Sequence, residues 1–143
     1  MHDLVLVLHS WMRWVALLSG VLAVVSVLGS AAGAKTNRWA RIFVIALDVQ
    51  LLLGLLLLVT LNVFSDFGAT MRDPIARFYT VEHETIMILA IALAHVGRVR
   101  VRKASSAAAA RTQSLIFFGL ATLLLLAGTP WPGMRDNRPL FRL

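Results

Sequence analysis

The sequence contains no cysteine and few charged residues, and both shortages narrow what the chain can be. Without cysteine among its 143 residues, it forms no disulfide, thiolate-ligated iron–sulfur cluster, zinc–thiolate site or covalent haem attachment. Charged residues make up 15% of the chain and hydrophobic residues 59%. That polar content is too small to cover a soluble domain of this size.

Four long apolar runs account for most of the chain, and the mean hydropathy is +0.79. Each run is close to the roughly 20 residues that cross a bilayer as a helix. The first run has no basic region before it, so we expect a retained helix and not a removed signal peptide. The sequence predicts an all-α integral membrane protein, a single four-helix bundle over residues 1–143. The predicted helices cover about residues 4–29, 39–63, 75–97 and 107–128.

Basic residues cluster in two of the three predicted loops, which explains most of the net charge of +7. By the positive-inside rule these two loops lie in the cytoplasm, and both termini lie on the outer, periplasmic side. The basic C-terminal residues Arg135, Arg138 and Arg142 argue mildly for the opposite orientation. We therefore expect the lipid bilayer as a partner and no nucleic acid. The basic loop residues are Lys35, Arg38 and Arg41 in the first loop, and Arg98, Arg100, Arg102, Lys103 and Arg111 in the third.

Ionisable residues within the predicted helices are the candidates for function, because each costs roughly 2.5–3.5 kcal/mol at a bilayer centre on insertion scales. His9 and His83 lie roughly 7–12 Å below the outer ends of their helices at 1.5 Å per residue. Two histidines at one depth on two helices can ligate a haem iron from both faces. The seven candidates are His9, Arg13, Asp48, Glu82, His83, Glu84 and His95.

The remaining candidates each leave more than one interpretation open. Arg13, one turn below His9, could form an ion pair with Glu82 or Glu84, which we place first, or bind a haem propionate. Asp48, near the middle of the second helix, could relay protons towards a quinone, accept a hydrogen bond from a neighbouring helix or simply be protonated.

His95 does not match the first two histidines. It is about 18 Å along the helix from His83 and some 120° around it. No other histidine lies at its level, so we predict a histidine at the cytoplasmic interface near Arg98 and no second haem. Small residues share the faces of His9 and His83, which predicts contact between the first and third helices, with or without a macrocycle between them. These residues are Ala16, Gly20, Ala23, Ala90, Ala94 and Gly97.

Four short stretches carry a resemblance to a known group. They are His9–Trp14 (HSWMRW), Asp48–Leu55 (DVQLLLGL), Phe78–His83 (FYTVEH) and Pro130–Pro132 (PWP). In these stretches the chain resembles short bacterial four-helix membrane proteins labelled cytochrome b-like. The resemblance spans nearly the whole chain and implies haem b and a location in the bacterial cytoplasmic membrane. In that group the position of Asp48 is often a histidine, so this chain lacks one possible ligand.

Two hypotheses from different classes follow. In the first, His9 and His83 ligate haem b, and the protein passes electrons between the quinone pool and a periplasmic acceptor or partner subunit. In the second, the chain is a cofactor-free accessory subunit of a larger respiratory or photosynthetic complex. Its His9, Arg13, Glu82 and His83 would then form a polar cluster that fixes helix register. A transporter is disfavoured because the helix interiors lack proline, and a hydrolase because no nucleophile motif is present.

Overall fold

The structure, a computed structural model, describes residues 2–61, 65–133, 139 and 141, and its regular elements over these residues are all helical. Among the described residues, three helical segments are long and apolar enough to cross a membrane: His2–Leu28, Ala34–Thr60 and Ala107–Gly128. The predicted all-α class is therefore confirmed, and the chain has the helices of a membrane protein.

The first two long helices form a hairpin closed by one asparagine. Helix α1 (His2–Leu28) is followed by a 3-10 turn (Ala34–Thr36) and by α2 (Arg38–Thr60). The buried Asn37 side chain accepts from the backbone N–H of Trp39 at 3.0 Å and donates to the Ala23 carbonyl at 2.9 Å. It therefore caps α2 and ties its start to α1. The predicted end of the second helix, residue 63, lies outside the described residues.

Two short helices follow α2, the first within the predicted loop and the second at the predicted start of the third helix. They are α3 (Phe67–Arg72) and α4 (Pro74–Arg77). Asp66 accepts a hydrogen bond from the Ala69 N–H at 2.9 Å, and Asp73 accepts from the Ile75 and Ala76 N–H groups at 2.8 Å each. These aspartates stabilise the two helices because N-terminal N–H groups have no partner within a helix.

The third predicted helix begins where expected, with α4, but its end differs from the expected residue 97. A π-helical turn (Phe78–Glu82) follows α4, and α5 then runs from His83 to Lys103, six residues past the predicted end. No proline lies between Gly97 and Lys103, and basic side chains are favourable in a last helical turn because they face the negative end of the helix dipole. Helix α6 occupies Ala107–Gly128. Residues predicted as loop thus extend α5.

Basic side chains hold the ends of the helices together on the side where α1 ends. Arg111 of α6 donates to the carbonyls of Val27 at 2.8 Å and Leu28 at 2.6 Å. Lys35 donates to the Ala104 carbonyl at 2.6 Å, beside the end of α5. Carbonyls in a last helical turn lack partners within the helix, so these basic residues also cap α1 and the α5–α6 connection.

The four long helices pack in a ring, in which α1 contacts α2 and α6, and α5 contacts α6 and α2. Helices α1 and α5 are therefore diagonal, and they approach each other at the His9–His83 pair and not along a closely packed face. A Cβ on Gly20 would lie 2.6 Å from Thr122 Oγ1 and 2.9 Å from the Phe43 ring, and one on Gly97 would meet Phe117. Gly20 thus leaves room for α6 and α2 to pack against α1, and Gly97 leaves room for α6 to pack against α5. Helical spacing identifies a face that packs closely, but it does not identify the neighbour.

Candidate functional site

A cavity of about 820 Å³ lies between the helices at the end where α1 begins and α2 ends. It exists because diagonal helices do not fill the centre of the ring, and α3 and α4 contribute to its outer wall. Its volume is within the roughly 300–1,000 Å³ of small-molecule and cofactor sites. The acidic, basic and histidine side chains that line it are His2, His9, Arg13, Asp66, Asp73, His83 and Glu84.

His9 of α1 and His83 of α5 meet at this cavity. Their ring centres are 6.4 Å apart and the ring planes are inclined at 67°. The structure therefore brings together the two histidines that the sequence singles out by depth. They approach from diagonal helices, so the space between their helices is the cavity itself and not a packed interface.

His83 is held in a defined orientation. Its Nδ1 lies 2.8 Å from the Gly128 carbonyl oxygen, and because a carbonyl only accepts, Nδ1 carries the proton. The Phe78 and Tyr79 rings lie 6.1 and 6.3 Å from the imidazole. Both aromatics belong to the π-helical turn that directly precedes His83, and such turns occur frequently at functional sites. A metal bound by His83 would therefore be ligated through Nε2.

His9 has a different environment. Its backbone carbonyl accepts a hydrogen bond from Gln50 Nε2 at 3.0 Å. Its ring nitrogen Nδ1 is buried and has no hydrogen-bond partner among the described residues. Gly54 of α2 lies opposite, where an added Cβ would stand 3.5 Å from both His9 Cε1 and Glu84 Oε1. A buried nitrogen without a partner requires an explanation, and a ligand-bound state of the site would provide one.

The two glutamates that flank His83 face different surroundings. Glu82 lies on the surface, with Oε1 3.3 Å from Arg77 Nε, whereas Glu84 lines the cavity. Arg13 also lines the cavity, and its guanidinium carbon lies 5.2 Å from the centre of the Trp14 ring. The ion pair that we place first for Arg13 stays a prediction, and the Arg13 side chain lines the same cavity as the two histidines.

Asp48 and His95 form a separate pair away from the cavity. His95 Nε2 lies 2.7 Å from Asp48 Oδ1 and links α5 to α2. Of the roles considered for Asp48, the structure shows the hydrogen bond to a neighbouring helix. His95, which we predict as an interfacial histidine near Arg98, lies eight residues before the end of α5 at Lys103. The sequence analysis considered only a second histidine as the partner of His95, and Asp48 was not considered.

His2 and Gln50 belong to the cavity but were missed from the sequence. His2 Nδ1 lies 3.0 Å from Thr60 Oγ1, which joins the start of α1 to the end of α2. Gln50 is buried on the face of α2 opposite Asp48 and bonds to the His9 backbone. His2 precedes the apolar run, so depth could not have selected it. The polarity of Gln50 within a leucine-rich helix was the available signal.

Comparisons with known proteins reveal no relative, since no protein-family model, curated protein or solved structure matches the chain. A function for this chain therefore has to follow from the chemistry and geometry of its site.

Proposed function

We propose that the chain is a haem b-binding electron-transfer protein of the membrane, in which His9 and His83 ligate one haem. The observation that carries the proposal is the 6.4 Å separation of the two imidazole centres at an 820 Å³ cavity. Imidazole nitrogen binds metals at about 2.0 Å, so two rings on opposite sides of one metal ion have centres roughly 6 Å apart. The spacing of the pair would therefore allow both imidazoles to bind one metal ion.

The surroundings of the two histidines support this role. The hydrogen bond from His83 to the Gly128 carbonyl is the kind of outer-shell contact that fixes the tautomer and orientation of a metal-ligating histidine. Arg13 presents a guanidinium in the same cavity, which suits a propionate carboxylate. Haem would supply one-electron chemistry there. The apolar part of the lining, which suits a macrocycle, includes Leu6, Leu57, Leu58, Met87 and Leu125.

The proposal includes a four-helix transmembrane topology. Helices α1, α2 and α6 are the three candidate spans, and the fourth is the continuous helical run of residues 78–97, which precedes the basic end of α5. The positive-inside rule places that basic end in the cytoplasm and the cavity near the periplasmic face of a bacterial inner membrane. Arg135, Arg138 and Arg142, which argue mildly against this orientation, lie outside the described residues. Electrons would pass between membrane quinone and a periplasmic acceptor or partner subunit.

An absorption spectrum tests the proposal. The chain, expressed with ample haem and purified in mild detergent, is expected to give a sharp alpha band in the dithionite-reduced minus oxidised spectrum. The band should be that of a low-spin b-type haem, at about one haem per chain, because the site has one pair of facing histidines. A flat spectrum from a haem-replete, folded preparation would contradict the proposal.

One observation favours a second function, that of a cofactor-free accessory subunit. The ring separation of 6.4 Å also lies within the roughly 4.5–7 Å of ordinary aromatic pairs, and the bond from His83 to Gly128 already joins α5 to the end of α6. The cluster could then fix helix register without a ligand. In that case a flat spectrum would accompany migration with a large respiratory or photosynthetic complex.

A further inference from the structure

Arginines of two helices meet at the end of the bundle opposite the cavity, where α2 begins and α5 ends. The hydrogen bond between Asp48 and His95, at 2.7 Å, fixes which faces of these antiparallel helices adjoin. Arg41 lies seven residues before Asp48, and Arg102 lies seven residues after His95. Seven residues make two helical turns and about 10 Å. Both arginines are therefore on the adjoining faces, opposite each other across the groove between α2 and α5.

Arg98, one turn before Arg102 on α5, completes an arginine cluster of Arg41, Arg98 and Arg102. Arg98 is partly buried, whereas the other two are exposed. Burial and the positive charges of Arg102 and Arg41 lower the pKa of the Arg98 guanidinium, so the three groups are close enough to repel one another. Over the residues that the structure describes, none of the three forms a hydrogen bond or an ion pair. Like charges this close favour an anion between them.

The helices and connections at this end of the bundle supply no such anion. Neither aspartate nor glutamate occurs in residues 4–47 or 85–135. Asp48, the one acidic residue of α2, lies two turns away and bonds to another side chain. Lys35 and Arg111, also at this end, differ from the cluster because they donate to helix-end carbonyls. An anion for the arginine cluster therefore has to come from outside the chain.

We propose that the arginine cluster binds the phosphate of an anionic phospholipid in the cytoplasmic leaflet of the membrane. In the proposed topology the fourth span ends at residue 97, so Arg98 and Arg102 lie at the depth of the lipid headgroups. Trp39, two residues before Arg41, is a side chain typical of that depth. Guanidinium matches phosphate oxygens with two parallel N–H groups, and basic pockets between transmembrane helices on the cytoplasmic side bind lipid headgroups.

A lipid suits the site better than a soluble phosphate does, because apolar surface continues from the cluster towards the bilayer centre. Ile45 lies one turn from Arg41 in that direction and is 56% exposed, and Val96 of α5 is 47% exposed. These side chains offer contact to an acyl chain, whereas a soluble phosphate would use the charges alone. The inference depends on the proposed topology and not on haem.

Thermal unfolding in mild detergent tests the site, because a ligand that binds the folded protein raises its unfolding temperature. Phosphatidylglycerol should stabilise the protein, whereas phosphatidylcholine with the same acyl chains and inorganic phosphate should not. Arg98→Gln and Arg102→Gln should each lower the affinity for phosphatidylglycerol roughly fivefold, since each removes one charge from the site. Equal stabilisation by the two lipids would overturn the proposal, and equal stabilisation by inorganic phosphate would overturn a lipid as the ligand.

Arg100→Gln is the matched control, since it removes the same charge from the same end of α5. The Arg100 side chain points to α6, where it donates to Gln113 Oε1 at 3.1 Å. At physiological salt, charges outside the site are screened over about 8 Å, so this variant should bind phosphatidylglycerol within about twofold of the unaltered protein. An equal loss in Arg100→Gln would mean diffuse attraction and would overturn the site. Unchanged elution in detergent would show that the variants fold, and failure here leaves the haem spectrum unaffected.

Discussion

Replacing His9 or His83 by alanine is expected to remove the haem spectrum from the purified protein. Each substitution takes away one of the two imidazoles whose centres are 6.4 Å apart. Outer-shell partners of metal ligands typically contribute 10–100-fold in affinity, so loss of a ligand itself should lower haem affinity by roughly 100-fold or more. The measurement is the reduced minus oxidised spectrum, with haem content determined per chain.

The chain has four histidines, and the two that are not proposed as ligands, His2 and His95, provide control substitutions. His2→Ala removes a histidine that lines the cavity but bonds to Thr60, and His95→Ala removes one that bonds to Asp48 on the outer surface. Both variants should keep the alpha band. Alanine at His83 also removes the hydrogen bond to Gly128, so elution in detergent must show that this variant folds. A normal spectrum in folded His9→Ala and His83→Ala chains would exclude these residues as ligands.

Gly97→Ala is expected to destabilise the protein by roughly 1–3 kcal/mol, the usual cost of adding a methyl group to a well-packed contact. A Cβ at this position would overlap the Cβ of Phe117 and lie 3.2 Å from its Cγ, with the Phe118 ring 3.6 Å away. The overlapping atom is next to the backbone of α6, so α5 and α6 would have to separate. Thermal or denaturant unfolding in detergent measures the effect.

Gly119→Ala is the matched control, since it makes the same substitution within α6 where an added Cβ meets no other helix of the described residues within 4 Å. Alanine is a better helix former than glycine by about 1 kcal/mol, so this variant should be unchanged or slightly more stable. Equal stability of the two variants would mean that α5 and α6 do not pack as closely as the structure places them.

Much of the fold follows from hydrophobic length and turn chemistry. Apolar runs of about 20 residues predict long helices, and the structure has helices in all four predicted regions. Pro74 occupies the first turn of α4 as its missing N–H allows. The end of α5 was misplaced because Gly97 was taken as a stop. That glycine is inside the helix, where it provides room for Phe117.

The sequence predicts only those site residues that can be matched by their distance from the ends of their helices. His9 and His83 were paired by distance from their helix ends, and the structure brings them together at one cavity. Partners set by the arrangement of helices could not be found in this way. The contact of Glu82 with Arg77 depends on the π-helical turn between them, and that of His95 with Asp48 depends on α2 adjoining α5. Neither the π-helical turn nor the contact between α2 and α5 can be predicted from the spacing of residues in the sequence.

The spin state of the oxidised protein tests the central claim most directly, because it reports how many strong ligands the iron has. Electron paramagnetic resonance at low temperature should show a low-spin, six-coordinate haem, as expected when His9 and His83 bind the iron from opposite faces. A predominantly high-spin signal at one haem per chain would mean that one axial position lacks a histidine. That result would contradict ligation by the pair.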